Sequence, residues 1–441
     1  MNETSLYKQH IDHLKKAYSE ILKNHNVNSL LIHSGMIDYY FLDDRPYSYK
    51  VNPHFNYWLP LTNNPNCFLF IEADQTPQLF YYKATDYWHE MAPDPTGFWV
   101  DNFKLTVITN ENDVKTALNS RLKKSAYIGN YAKQLDWGFQ SVNPAELIHE
   151  THYLRAVKTP YEQHCMAEAN RLAAKSHQAA KDKFFNGGSE FDIHMAYLQT
   201  MNRMEYQMPY SNIIAINENA ATLHYTNCRS VRFTDDKRHS FLIDAGAEYN
   251  GYAADVTRTY SYKDNEFSEL IDAMNEKQLQ MVNYVSNGVS YTENQLYSHK
   301  CISEILADFD FVRLSAEDIY ETKISKQFYP HGIGHFLGIQ VHDVGGFLKS
   351  PKGSQIAAPE DHPFLRLTRT IQAGHVFTIE PGLYFIDSLL AELKESQHSK
   401  SVNWEKVDRF RKFGGVRIED NICMTESDRI NFTRDAFKEL T

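Results

Sequence analysis

Short apolar runs alternate with polar segments through the first 150 residues of the chain. These runs are rich in the β-branched and aromatic residues that strands prefer. They are NSLLIHSG, NCFLFIEA, QLFYYKA, KLTVIT and AYIGN, beginning at residues 28, 66, 78, 104 and 126. Segments of helical pattern separate them, starting with the polar N-terminal stretch MNETSLYKQHIDHLKKAYSE. The alternation predicts a small α/β domain over residues 1–155, without a phosphate-binding loop or a dinucleotide fingerprint.

The pattern changes at RAVKTPYE, residues 155–162, where a long helix is predicted to begin. Thr159 can cap it, Pro160 suits the first helical position, and Glu162 completes a capping box. The helix should stop at Gly187-Gly188, and a second one is predicted in SEFDIHMAYLQTMNRME. The strand-like runs beyond it are NIIAIN, HSFLIDAGAEY, YAADVTRTYSY, HVFTIEPGLYF and GGVRIEDNICMT. Helices with largely antiparallel strands predict an α+β domain over residues 156–441.

Composition narrows the function classes. The 441 residues are 42% apolar and 23% charged, with a net charge of −11 and no Lys/Arg run, so a nucleic-acid partner is not expected. The five cysteines are far apart, which argues against a disulfide framework and a thiolate zinc site. No apolar run approaches the roughly 18 residues that span a bilayer. These features predict a cytoplasmic protein that does not associate with membranes.

The segment FLIDAGAEYNGYAADVTRTY predicts a hairpin that brings two carboxylates together. Asn250-Gly251 favours a type I′ turn, so that Asp244 lies opposite Thr257 and on the same face as Asp255. Apolar neighbours indicate that this face is buried, where two ionised carboxylates need a cation. Two solvated aspartates at a hairpin mouth are the alternative for this stretch taken alone.

Two further strands offer carboxylates at alternating positions. In AGHVFTIEPGLYF, Thr378 and Glu380 share one face; in FGGVRIEDNICMT, Arg417 and Glu419 share one face. Taken singly, a strand glutamate is usually exposed and an Arg/Glu pair is usually a weak surface ion pair.

Three histidines stand among five glycines in QFYPHGIGHFLGIQVHDVGG, residues 327–346. The HExxH zinc motif is excluded, because Gly332 occupies the position of its glutamate. Four carboxylates with one imidazole instead form a hard-donor set that suits a pair of Mn²⁺ or similar ions. Two such ions can activate water and polarise a carbonyl or phosphoryl oxygen, which predicts a hydrolase.

These residues resemble the five ligands of the pita-bread metallopeptidases, in the order of that family. Within it the chain is most similar to the bacterial X-Pro dipeptidases, or prolidases, which include the organophosphorus acid anhydrolases. The likeness spans essentially the whole chain. It rests on HFNYWLPL, RAVKTPYE, ATLHYT, PHGIGHFLGIQVHDVGG, LRLTRTIQAGHVFTIEPGLYFID and RFRKFGGVRIED.

The resemblance implies a role for each position. Asp244 and Glu419 would bridge two metal ions, Asp255 would bind one ion, and His335 and Glu380 the other. Glu380 would also be the proton shuttle for the metal-bound water. His224 and His342 would donate to the oxyanion, His331 would line the pocket, and Arg417 would orient the ligand carboxylates. Arg366, or its neighbour Arg369, would bind the substrate carboxylate. Beside these roles, the candidates for the pocket walls are Tyr210, Leu223, Val341 and Tyr291.

The expected activity is hydrolysis of X-Pro dipeptides, with a side reaction on organophosphorus triesters such as fluorophosphonates. Aminopeptidase P, acting on longer X-Pro peptides, is the alternative that shares nearly all of these residues. A non-enzymatic binding module of the same fold is a further alternative, although such relatives usually lose ligands. The family likeness also implies a homodimer in which the N-terminal domain, around Asp44 or Trp58, closes the partner's cleft.

Overall fold

The computed structural model describes residues 2–129 and 132–440. The chain divides into two compact units. The first contains residues 1–155, 159–164 and 350–354, and the second contains 156–158, 165–349 and 355–441. Met1, the first residue of the segment MNETSLYKQHIDHLKKAYSE, and Asn130, the last residue of AYIGN, lie outside the described residues.

The first unit is an α/β structure, as the alternating pattern predicts. Its helices are α1 (Glu3–Asn24), α2 (Pro53–Asn56), α3 (Glu111–Leu118), α4 (Ala132–Leu135) and α5 (Ala145–Arg155). Its strands are β1 (Ser29–His33), β2 (Phe68–Glu72), β3 (Gln78–Tyr82), β4 (Lys104–Ile108), β5 (Ser125–Ile128) and β6 (Ser141–Val142). They form one mixed sheet in the order β4-β3-β2-β1-β5-β6. Strand β1 runs antiparallel to β2 and parallel to β5.

The HFNYWLPL segment contributes to the interior of this unit. Trp58 is 0% exposed and packs edge-on against Tyr18 of α1, with ring centroids 4.9 Å apart. The expectation that Trp58 reaches a partner's cleft is therefore wrong, because its indole is enclosed within its own unit. Asp44, the other residue named for that role, is exposed.

The second unit combines long helices with short strands. Its helices are α6 (Pro160–Phe185), of which residues 165–185 belong to this unit, α7 (Glu190–Met201), α8 (Glu266–Tyr284), α9 (Tyr291–Asp308), α10 (Ala316–Glu321), α11 (Ser325–Phe328), α12 (Asp387–Glu395), α13 (Trp404–Phe410) and α14 (Phe432–Lys438). Its strands are β7 (Ile213–Ile216), β8 (Ser240–Asp244), β9 (Ala247–Tyr249), β10 (Tyr252–Ala254), β11 (Thr257–Ser261), β12 (Val376–Ile379), β13 (Gly382–Tyr384), β14 (Gly415–Arg417), β15 (Asp420–Met424) and β16 (Arg429–Asn431).

Helix α6 begins with the predicted cap. The Thr159 amide donates to the Glu162 carboxylate at 2.8 Å, and the Glu162 amide reaches Thr159 Oγ1 at 3.5 Å. Helix α7 follows Gly187-Gly188 and has its own capping box, formed by Ser189 and Asp192. Both helix starts are confirmed because their signals are local in the sequence.

The predicted hairpin register is confirmed on both sides of the Asn250-Gly251 turn. Both turn residues have positive φ, at 52° and 84°, as a type I′ turn requires. Tyr249 pairs with Tyr252 in β9–β10, and Asp244 pairs with Thr257 in β8–β11. The ladder is interrupted between these two strand pairs, where Asp255 lies outside the regular strands.

Three antiparallel groups carry the polar site. Strand β8 lies between β7 and β11, β15 lies between β12 and β16, and β13 pairs with β14. An antiparallel bridge between Thr257 and Glu419 links the first two groups. The apolar faces pack into the interior: Phe377 and Ile379 lie in one core cluster, and Val416 and Ile418 in another. The alternate residues of those strands are thereby turned to the opposite face.

Among the described residues, no helix is both long and apolar enough to cross a membrane.

Candidate metal centre

Four carboxylates and one imidazole converge on a cavity of about 340 Å³ in the second unit. Asp244 ends β8, Asp255 lies between β10 and β11, Glu380 follows β12, and Glu419 lies between β14 and β15. His335 comes from the glycine-rich segment. One ligand atom each from Asp255, His335 and Glu419 lie within 4.8 Å of one another, which is the spacing of groups that can share a cation.

The glycines of the histidine segment allow close backbone approach. Gly334 has φ of +158°, and a Cβ there would stand 2.1 Å from the Thr378 carbonyl oxygen. The segment therefore lies against β12, where the Thr378 amide donates to the His335 carbonyl at 3.0 Å. This pairing brings the imidazole of His335 to the strand that carries Glu380.

The ring of His335 has a fixed tautomer. Its Nδ1 lies 2.9 Å from the Phe336 carbonyl oxygen, to which it donates. Its Nε2 then faces Asp255 Oδ2 at 3.5 Å and Glu380 Oε1 at 3.6 Å. A carbonyl on one ring nitrogen leaves the other as a lone-pair donor, which is the usual arrangement of a metal-binding histidine.

A second layer of side chains orients the carboxylates. The Tyr210 hydroxyl oxygen lies 2.9 Å from Asp244 Oδ1 and 2.5 Å from Asp255 Oδ1, so the two carboxylates share its single hydrogen. Arg417 donates to Asp244 at 2.7 Å, and Thr257 donates to Glu419 at 2.7 Å. Thr378 Oγ1 lies 3.3 Å from Glu380 Oε1 on the face predicted by strand alternation.

Burial raises the pKa of three of the four carboxyl groups, those of Glu419, Glu380 and Asp244. Burial, reinforced by the charges of Asp255, Glu380 and Asp244, raises the pKa of Glu419 well above its usual range. Burial also raises the pKa of Glu380 to about 7, although the charge of His335 opposes it. The pKa of Asp244 is raised by burial despite Arg417.

Asp255 and His335 shift each other's pKa in opposite directions. Burial opposes ionisation of Asp255, but the hydrogen bond and charge of His335 outweigh it and lower the Asp255 pKa. Burial likewise opposes protonation of His335, and the charges of Asp255 and Glu380 raise its pKa nonetheless. One imidazole and one guanidinium thus face four carboxylates, of which Asp255 and Glu419 are buried and Asp244 and Glu380 are half-buried. The donor set fits divalent cations, because hard oxygen ligands in excess over basic groups require a positive ion.

The other predicted pocket residues fall into three groups. Leu223, His224, His331, His342, Arg366 and Arg417 line the cavity together with the five ligand candidates. Tyr210 contacts the aspartates without lining the cavity. Val341 and Tyr291 are not among the lining residues, and Tyr291 is fully buried, its hydroxyl donating to the Thr378 carbonyl.

The two candidate arginines differ in position. Arg366 is exposed at the cavity and its guanidinium contacts the His342 ring. Arg369 is buried at 4% exposure and is not a lining residue.

Two further histidines of the cavity, His331 and His342, are held in the neutral form. Burial, with the charge of Arg417, lowers the pKa of His331 to about 3. Partial enclosure of the His342 ring, with the charges of His335 and Arg366, lowers the pKa of His342 to about 4. His331 Nε2 contacts the Tyr384 hydroxyl at 2.9 Å, and that hydroxyl also accepts from Arg417 at 3.0 Å. His342 is exposed, whereas the adjacent Asp343 is buried in an ion pair with Lys158 at 2.8 Å.

Sequence reasoning missed Tyr384 and Asn421. Tyr384 stands on β13 only four residues beyond Glu380, so its place in the EPGLYF run was an available signal. Asn421 donates to the Asp255 carbonyl at 2.5 Å and accepts from the Asp255 amide at 3.0 Å. Nothing in the local pattern indicates that contact, because it joins residues 166 positions apart.

Fold and donor set together are those of a metal-dependent hydrolase, and the comparisons with known proteins define the class as metallopeptidase. The models of the Xaa-Pro dipeptidase N-terminal domain and of metallopeptidase family M24 match residues 5–153 and 164–426. This chain is 47% identical over 430 residues to a Xaa-Pro dipeptidase of Shewanella woodyi, and the match covers 97% of this chain and 98% of the relative. A Xaa-Pro dipeptidase of Pseudoalteromonas translucida is 46% identical over 432 residues, covering 98% of each. The chain belongs to metallopeptidase family M24, which confirms the predicted family and its pita-bread architecture.

Solved structures agree on the fold. A variant of Escherichia coli aminopeptidase P in complex with substrate gives a TM-score of 0.75 at 21% identity, covering 97% of this chain and 95% of that one. The structure of Escherichia coli aminopeptidase P with the inhibitor Pro-Leu gives a TM-score of 0.74 at 21% identity, and the match covers 99% of this chain and 96% of that one.

Proposed function

We propose that this chain hydrolyses Xaa-Pro dipeptides with two divalent metal ions, most suitably Mn²⁺, held by Asp244, Asp255, His335, Glu380 and Glu419. The observation that carries the proposal is the convergence of these five donors in one cavity with a single arginine at its exposed side. The dipeptidase names of the relatives support the substrate class. When bound, such ions polarise the scissile carbonyl and supply a nucleophile from water at neutral pH.

Glu380 moves the proton in this proposal. Its carboxylate takes a proton from the attacking water and returns it to the proline nitrogen, which becomes a leaving amine. An X-Pro bond has no amide hydrogen, so a site that relies on the carbonyl alone suits it. His331 and Tyr384 lie beside Glu380 and Arg417 and hold this side of the cavity in one geometry.

His224 and His342 donate hydrogen bonds to the oxyanion that develops in the transition state. Both line the cavity, and the lowered pKa of His342 keeps its ring neutral, so that one nitrogen carries a hydrogen to donate. Donors aimed at developing charge contribute more to the rate than donors equally matched to the ground state.

Arg366 binds the free carboxylate of the dipeptide. Its exposure at the cavity supports this choice over Arg369, which is buried elsewhere. An arginine that pairs with a carboxylate in a bidentate manner discriminates against longer peptides, whose carboxylate lies farther from the scissile bond.

The experiment compares Gly-Pro with Ala-Pro-Ala as substrates for the metal-loaded protein in Mn²⁺, Co²⁺ and Zn²⁺, with metal content measured in parallel. Cleavage of Gly-Pro by protein holding about two ions per chain supports the proposal. Cleavage of the tripeptide alone would assign the chain an aminopeptidase P activity instead. If the protein cleaves neither peptide and binds no metal, the result would favour a non-enzymatic module.

Hydrolysis of organophosphorus triesters is proposed as a side reaction of the same site. A tetrahedral phosphorus centre resembles the tetrahedral peptide intermediate, so the oxyanion donors suit both. Release of fluoride from a fluorophosphonate, lost in a His224→Ala variant, is the measurement.

We also propose a cytoplasmic homodimer. The five cysteines are free, which supports a reducing compartment. Phe41 and Leu42 are about 90% exposed in the first unit, and exposed apolar side chains of this kind favour a protein interface. Light scattering of the wild type against Phe41→Ser tests the dimer, because loss of the apolar contact should shift the mass toward one chain.

A further inference from the structure

His224 lies on a segment that has no regular structure of its own. Residues 225–234 form neither helix nor strand, and His224 and the nearby Arg229 are exposed. Tyr225, the residue directly after His224, is by contrast 4% exposed. A side chain that must meet a developing charge within a fraction of an ångström needs support from beyond such a segment.

Glu190 supplies a buried anchor to this segment from another element. It is the first residue of α7 and is 1% exposed. Its Oε2 accepts from the Tyr225 hydroxyl at 2.7 Å and from the Arg229 amide at 2.8 Å. Its Oε1 accepts from the Asn219 side chain at 2.7 Å and from the Ile216 amide at 3.0 Å.

The four donors flank His224 in the sequence. Ile216 and Asn219 precede it, and Tyr225 and Arg229 follow it, so one carboxylate ties both ends of the segment to the start of α7. Hydrogen bonds to an ionised carboxylate are shorter and stronger than those between neutral groups. Two oxygens with two donors each also leave little freedom for the carboxylate to rotate.

We propose that Glu190 is a positioning residue for His224, setting the direction of its imidazole in the cavity from outside the site. The proposal rests on the proposed function, because it assumes that His224 donates to the oxyanion. The four hydrogen bonds of the Glu190 carboxylate go to Ile216, Asn219, Tyr225 and Arg229 and not to the five ligand candidates. Its effect is therefore transmitted through Tyr225 and the backbone on either side of His224.

Glu190→Gln is the direct test. The glutamine keeps the shape but replaces one oxygen with an amide nitrogen, which cannot accept from the Arg229 or Ile216 amide that faces it. We expect kcat on Gly-Pro to fall about 10- to 100-fold, as for a small misplacement of a catalytic group, with unchanged metal content and KM. Tyr225→Phe removes one donor and should lower kcat less. Asp318→Asn, in the first turn of α10, is a control that should leave kcat unchanged.

A double-mutant cycle separates positioning from general stability. In the His224→Ala background, replacing Glu190 should change kcat by no more than about twofold, because the group that it positions is gone. Losses that multiply instead would overturn the proposal, since Glu190 would then act without His224.

Crystal structures of the wild type and Glu190→Gln give a readout that does not depend on activity. We expect residues 217–229 and the His224 ring to shift while Asp244, His335 and Glu419 stay in place. An unmoved His224 ring would overturn the proposal even if kcat fell. A wild type that cleaves no Xaa-Pro dipeptide would refute the proposed function alone, because the ring position still decides the role of Glu190.

Discussion

Glu419 and Asp420 are neighbours in the sequence, both are buried, and the protein treats their charges in opposite ways. Asp420 accepts from Arg258 at 2.8 Å, from Arg434 at 2.6 Å and from Asn431 at 2.8 Å. Burial opposes its ionisation, but the two guanidinium groups outweigh burial and lower its pKa. Glu419 accepts from Thr257 and faces three other carboxylates, and its pKa is raised.

The difference shows how one strand serves structure and chemistry at once. Successive side chains of a strand point to opposite faces, so the chain can neutralise one carboxylate with arginines and leave the next for a cation. Arg258 joins the two faces, because it also donates to the Glu419 and Thr257 carbonyls at 2.8 Å. The structural ion cluster thus fixes the backbone from which the ligand projects.

The largest effect is expected from Glu419→Gln. Loss of a bridging ligand should lower kcat/KM on Gly-Pro by more than the roughly 100-fold typical of outer-shell partners, together with metal content. The metal-free variant should be as stable as the metal-free wild type or more so, because a repelled buried carboxylate is removed. Metal analysis and urea unfolding of the metal-free proteins measure both. A metal-free variant that is several kcal/mol less stable would contradict this contrast.

Asp420→Asn should lower stability and leave metal binding intact, the reverse of what we expect for Glu419→Gln. Removing the charge leaves Arg258 and Arg434 without their buried anion, which we expect to cost about 3–5 kcal/mol of unfolding free energy. Metal binding by the fraction that remains folded should persist. Asp408→Asn, which alters an exposed pair with Arg411, is the control and should change stability by less than about 1 kcal/mol. If Asp420→Asn and Asp408→Asn lose equal amounts of unfolding free energy, the buried Asp420 cluster contributes no more to stability than an exposed ion pair.

The comparison also shows which features a sequence can predict. The Asp244/Thr257 register follows from the Asn-Gly turn between them, and the alternating faces at Glu380 and Glu419 follow from strand geometry, so most of the ligand set was available locally. Trp58 was misjudged because burial depends on how α1 packs. Glu190 resembles an ordinary acidic residue at a helix start, and its partners come from 26 to 39 positions away. Contacts of that kind depend on the completed fold.

Arg366 and Arg369 show the same contrast between a residue that serves the site and a neighbour that serves the structure. Arg366→Lys should raise KM for Gly-Pro about 10- to 100-fold, because a bidentate, charge-assisted contact with the substrate carboxylate is weakened. Arg369→Lys should leave KM close to the wild-type value and lower the melting temperature, since its guanidinium is buried. Steady-state kinetics with thermal melts measure both. A KM increase confined to Arg369→Lys would reverse the assignment.

The smallest effect concerns His299, a buried group that the fold keeps neutral. Burial, with the nearby charges of His362 and Lys326, lowers its pKa to about 3, and its ring contacts Ser325 and Gln295. Below pH 6.5 the unfolded chain takes up a proton that the folded chain refuses, so stability falls as the pH drops toward 3. At pH 5 this group alone costs about 2 kcal/mol relative to pH 8. Urea unfolding of His299→Gln at both pH values should therefore show a smaller acid loss than the wild type, by about that amount. An equal acid loss in both proteins would show that His299 is not the neutral group that this prediction assumes.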